Sequence, residues 1–106
     1  MMNVLKNLTT ENFSQKNETG INLLSFSKDW CAQCYTQQPI LEQAAEKYRE
    51  RIHFYQINAD DNVDLIKKYN VLSAPSLVVE KDGRAVYDVA GFLDQEQLES
   101  IIAYYL

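Results

Sequence analysis

Cysteine is scarce in this chain of 106 residues, with two copies, and so are proline, also with two, and glycine, with three. Two cysteines cannot build the disulfide framework that holds a small secreted domain together. They enclose only two residues, so a bridge between them adds little loop-closure stabilisation. With one histidine beside them, they also fall short of the four ligands a structural zinc site wants. His53 therefore reads as a strand-surface or packing residue, and no metal is expected. Basic charge is short as well: ten Lys and Arg against fifteen Asp and Glu give a net charge of −5, with no basic cluster of the kind nucleic acid needs. No apolar stretch approaches the length that crosses a membrane. The start, Met1 to Asn7, has no basic segment followed by an apolar run. These absences lead to the expectation of a cytoplasmic protein with neither a nucleic-acid nor a membrane partner.

What is present is a hydrophobic content of 46%, ordinary for a globular fold, in a chain sized for one core. The expected organisation is one domain over residues 1–106. The most informative stretch is Trp30-Cys31-Ala32-Gln33-Cys34, which holds both cysteines. It follows the apolar run Ile21 to Phe26 and opens a helical pattern that reaches about Glu50. Two cysteines three apart in the first helical turn share a face and lie close enough to close a disulfide ring. The helix start places unpaired N–H groups and partial positive charge beside the first sulfur, favouring thiolate over thiol. A disulfide that forms readily beside a stabilised thiolate is a redox couple.

The rest of the chain reads as alternating elements. Val4 to Asn7 is expected as a short edge strand, and Thr10 as the cap of a first helix. Ile21 to Phe26 is apolar on both faces, as a central strand is. The long helix carries Ile40, Leu41, Ala44, Ala45 and Tyr48 at helical spacing, with Pro39 inside it as the expected site of a kink. Ile52 to Ile57 reads as a strand and Val63 to Tyr69 as a short helix. Ser76 to Lys81 and Arg84 to Ala90 read as strands joined at Asp82-Gly83, a hairpin signal. Asp94 is expected to cap a last helix with Leu98, Ile101, Ile102 and Tyr105 inward. The order predicts an α/β fold: a central mixed sheet of four to five strands with helices on both faces.

With that order in hand, the chain resembles the thioredoxin family over nearly its whole length. The matches are Trp30 before the CxxC, Pro39 in the helix, Tyr69-Asn70-Val71 leading to Ser73-Ala74-Pro75, the Lys81-Asp82-Gly83-Arg84 hairpin, and Gly91. The resemblance implies the thioredoxin fold and a protein-disulfide oxidoreductase with Cys31 as nucleophile and Cys34 as resolving thiol. It implies a cis bond before Pro75, which lies against the redox pair. It also implies a groove of Trp30, Ala74, Pro75, Gly91 and Phe92, in which Ala74 offers its backbone to an extended client. Phe92 is either an apolar contact in that groove or an ordinary core residue before the last helix. No bound cofactor is implied, because the electrons reside on the sulfurs. The implied partners are disulfide-bearing clients and a thioredoxin reductase as donor.

Three positions depart from the family pattern. The dipeptide between the cysteines is Ala32-Gln33 where Gly-Pro is usual. Ser25 stands where a buried aspartate is usual, and Gln56 where its lysine companion is frequent. Gln33 brings an N–H that proline lacks, and Ser25 removes a carboxylate that would oppose a thiolate. Both changes are expected to make the couple more oxidising. The alternatives to a general reductase are a redoxin for one dedicated client, and a redox-silent module that keeps the fold as a binding surface.

Overall fold

The computed structural model describes residues 4–106. Its strands are β1 (Leu5–Asn7), β2 (Ile21–Ser27), β3 (Ile52–Asn58), β4 (Ser76–Lys81) and β5 (Arg84–Ala90), and its helices α1 (Ala32–Lys47), α2 (Val63–Tyr69) and α3 (Gln95–Tyr105). The sheet order is β1-β3-β2-β4-β5. β1, β3 and β2 run parallel, whereas β4 and β5 are antiparallel additions. The sheet is thus mixed and five-stranded, with β2 at its centre.

β2 occupies the centre because nearly every side chain from Asn22 to Phe26 is apolar or finds a polar partner, and all five are buried. Leu23 packs with Leu41, Ala44 and Ala45 of α1 and Leu98 and Ile102 of α3. Leu24 and Phe26 face the other way, against Leu65 of α2 and the rings of Phe13 and Tyr69. One strand therefore serves two cores, and helices lie on both faces of the sheet. Burying an aliphatic side chain of this size contributes about 1.5–3 kcal/mol.

On that second face sits a buried polar cluster at the start of β2 and the end of β4. Lys16 Nζ donates to Glu80 Oε1 at 2.8 Å, and both side chains are 3% exposed. Tyr69 Oη donates to Glu80 Oε2 at 2.6 Å and Asn22 Nδ2 to Oε1 at 3.2 Å. Burial pushes the Glu80 carboxyl up, but the donors Lys16, Tyr69 and Asn22 outweigh it and hold the group below the usual carboxylate range. Burial and the Glu80 carboxylate together push the Tyr69 phenol well up.

Two expectations are corrected. Thr10 caps no α-helix; the segment makes a single 3-10 turn at Phe13–Gln15. Thr9 and Asn12 exchange hydrogen bonds between side chain and backbone (2.8 and 3.2 Å), a local arrangement that competes with a helix. The long helix also stops at Lys47 rather than near Glu50, because Tyr48 leaves the helical region and its carbonyl accepts from Arg51 and Ile52, turning the chain into β3. Elsewhere the expected bounds of α2, β4 and β5 are met, and Asp82 and Gly83 both take positive φ (51° and 84°) in the hairpin. Asp94 forms a capping box with Gln97 at the start of α3.

Candidate functional site

The chain leaves β2 through Lys28, Asp29 and Trp30 and enters α1 at Ala32. This turn is tied to the end of β3: the Asp29 N–H donates to Asp60 Oδ2 (2.8 Å) and Asn58 Nδ2 to Asp29 Oδ1 (3.1 Å). Trp30 takes a φ of 58°, in the left-handed region that a bulky L-residue occupies at a cost of roughly 1–3 kcal/mol. Its side chain is 96% exposed. An exposed ring on a strained backbone adds nothing to a core, and Trp30 is more exposed than expected.

Cys31 is the residue that caps α1. Its sulfur accepts the N–H of Cys34 at 3.1 Å, the reach expected from a cap to the third helical residue. Cys34 is buried one turn further in, whereas Cys31 is half-buried. The two form a disulfide across a Cα–Cα distance of 5.2 Å. Gln33 was expected to bring a further N–H to the first sulfur. Among the described residues, that bond comes from Cys34 while the disulfide is closed.

Opposite the sulfurs, the Ala74–Pro75 bond is cis, and the Ala74 carbonyl oxygen lies 4.0 Å from Cys31 Sγ. The Gly91 N–H donates to the Pro75 carbonyl at 2.8 Å, which sets the loop after β5 against this turn. Phe92, half-buried, follows Gly91. A recess of about 190 Å³, lined by Lys28, Asp60, Val71, Leu72 and Ala74, opens alongside. Two exposed apolar side chains were not foreseen: Leu72 at 91% and Tyr35 at 72%. Their signal in the sequence was their place beside the two motifs, two residues before Ala74 and one after Cys34.

Behind the pair, Ser25 is buried and lies in register between Gln56 of β3 and Leu77 of β4. Ser25, Pro75 and Gly91 share a cavity of about 10 Å³ with Gln37, Leu41, Leu77 and Leu93, and none of the described residues lining it carries a carboxylate. Gln56 is engaged sideways: Gln38 Nε2 donates to its Oε1 (2.9 Å) and its Nε2 donates to Asn7 Oδ1 (2.8 Å). The other unforeseen residue is Gln37, buried on α1 and bonded at both ends of its amide to the backbone of Leu93. A glutamine on the buried stripe of Cys34, Leu41, Ala44 and Ala45 is itself the signal, since a buried amide must find partners.

The family model for thioredoxin matches residues 4–104. This chain belongs to the thioredoxin family. It is 34% identical over 99 residues to thioredoxin from Staphylococcus saprophyticus, covering 93% of this chain and 95% of that protein. It is 35% identical over 95 residues to thioredoxin from Staphylococcus aureus strain Mu50, covering 90% and 91%. With the Cys31–Cys34 pair in place, this thioredoxin-family protein is a thiol–disulfide oxidoreductase of the protein-disulfide type. Among the described residues, no helix is long and apolar enough to cross a membrane.

Proposed function

We propose that the protein reduces disulfides of client proteins in the cytoplasm, with Cys31 as nucleophile and Cys34 as resolving thiol. The observation that carries this is their unequal placement: Cys31 half-buried at the helix start facing the Ala74 carbonyl, Cys34 buried behind it. The Cys31 thiolate attacks one sulfur of the client disulfide, forming a mixed disulfide as the other client sulfur leaves as thiolate. Cys34, once deprotonated, attacks Cys31 Sγ. The Cys31–Cys34 bond forms, the mixed disulfide breaks, and the client departs having gained two electrons and two protons. The electrons reside on the two sulfurs, so the reaction calls for no cofactor and no metal. A thioredoxin reductase returns two electrons to the pair, which places the protein in electron transport and cell redox homeostasis.

Trp30, Ala74, Pro75, Gly91 and Phe92 form the client groove in this reading, with the Ala74 backbone pairing to an extended segment. Ser25 and Gln33 set the redox poise, with Gln56 beside them. A site without the buried carboxylate favours the thiolate form of the pair, so the potential is less negative than the roughly −270 mV of thioredoxin, at about −250 to −200 mV. Equilibration with glutathione measures it, and Ser25→Asp and Gln33→Pro should each lower it. A wild-type value at or below −270 mV, unmoved by either substitution, contradicts this account of the poise. Ser25 in place of the usual carboxylate and the Ala32-Gln33 dipeptide support a second reading, a redoxin for one dedicated client. Rapid turnover of many unrelated disulfides with a general thioredoxin reductase would decide against that reading.

A further inference from the structure

Gln37 lies one helical turn beyond Cys34, and its side chain is buried. Its Nε2 donates to the Leu93 carbonyl at 2.8 Å, and its Oε1 accepts the Leu93 N–H at 2.8 Å. An amide offers a donor and an acceptor side by side, so it pairs with a backbone peptide as a neighbouring strand would. Leu93 follows Gly91 and Phe92, and Gly91 is bonded in turn to the Pro75 carbonyl. Ala74, next to Pro75, faces Cys31. The contacts close a ring: redox helix, Gln37, groove loop, Pro75 turn, and back to the nucleophile. Without the amide, the buried N–H and C=O of Leu93 have no partner there, and the loop must shift to reach water.

We infer that Gln37 is a positioning residue for client binding, holding the Gly91–Phe92–Leu93 loop against α1 so that the groove beside Cys31 keeps its shape. It touches neither reacting sulfur in this role. Its effect falls on the affinity for extended protein disulfides rather than on sulfur chemistry. The inference rests on the proposed groove, and the test separates the two.

The experiment compares wild type, Gln37→Leu and Gln37→Glu, using insulin as the protein disulfide and dithiobis(nitrobenzoate) as a small disulfide that needs no groove. For Gln37→Leu, KM for insulin should rise about tenfold, while kcat and the single-turnover rate with the small disulfide change less than twofold. Gln37→Glu supplies a reading that a merely structural role would not move. A protonated carboxyl again offers one donor and one acceptor, whereas a carboxylate offers acceptors alone. The cavity that Gln37 lines is walled from β2, α1, β4 and the loop after β5 by Ser25, Leu41, Leu77 and Leu93, none of them ionisable, while on its own helix the Cys34 thiol stands one turn back, and burial keeps the introduced carboxyl protonated to higher pH. Its KM relative to wild type at the same pH, which sets aside pH effects common to both proteins, should be near one at pH 6.5 and approach the leucine variant at pH 8.5. If Gln37→Leu fails to fold, this pH series carries the test alone. An unchanged insulin KM in folded Gln37→Leu, equal losses on both disulfides, or a pH-independent KM ratio for Gln37→Glu each overturn the inference. Failure of wild type itself to reduce insulin overturns the proposed function instead.

Discussion

Replacing Lys16 with methionine should remove more stability than any surface change, although Lys16 is far along the fold from the cysteines. Both members of the Lys16–Glu80 pair are 3% exposed and 2.8 Å apart. Removing one member of such a pair costs about 3–5 kcal/mol, because the other charge is left buried. Glu80 would keep its bonds from Tyr69 and Asn22, which argues for the lower end. Loss of the ammonium 5.4 Å above the Phe13 ring adds about 0.5–1 kcal/mol. The sum is roughly 3–4 kcal/mol, or a fall in Tm of about 15–25 °C for a domain of this size. Urea unfolding measures it as a shift in midpoint at constant slope. The sign with pH is also fixed. In the wild type the Glu80 carboxyl is held low, so its contribution is complete above the unfolded value of about 4.3 and lost as pH falls through the folded one. Without Lys16, burial dominates, the folded carboxyl titrates above the unfolded one, and the variant recovers as pH falls. The gap between the two proteins should therefore narrow from pH 7 to pH 4. Lys16→Met combined with Glu80→Gln should regain at least half of the loss, since the glutamine oxygen still accepts from Tyr69. A loss under about 1 kcal/mol, or a gap that does not change with pH, would refute the reasoning.

Limiting iodoacetamide should label Cys31 before Cys34 in the reduced protein, read in a peptide-resolved mass spectrum; equal labelling, or Cys34 first, contradicts the assigned roles. Asp94→Ala removes the acceptor of the Gln97 N–H at 2.8 Å and should cost about 1 kcal/mol in urea unfolding, with no change in redox potential.

Much of this fold is legible along the chain because its signals are local. β2 declares itself as an apolar run, α2 by its spacing, the β4–β5 hairpin by Asp82-Gly83, and α3 by Asp94 ahead of Leu98, Ile101, Ile102 and Tyr105. The redox pair is equally local, since the helix start, the cap and both sulfurs lie within Trp30 to Cys34. What escaped is long-range or polar. Nothing in the chain around Lys16 points to Glu80, its partner 64 positions away. Gln37 finds its partner, Leu93, only 56 positions further along the chain. Thr10 followed by Glu11 imitates a helix start, and only the exchange between Thr9 and Asn12 shows why the segment stops at one turn.

The central claim, that Cys31 and Cys34 form a working redox couple with unequal roles, is tested most directly by insulin reduction with dithiothreitol as donor. Wild type should accelerate it, and Cys31→Ser should abolish the acceleration. Cys34→Ser should accumulate a covalent mixed disulfide with insulin through Cys31, stable on a non-reducing gel, because no resolving thiol remains. Rates that are the same for wild type and both variants, or a mixed disulfide that forms through Cys34 instead, would contradict the account.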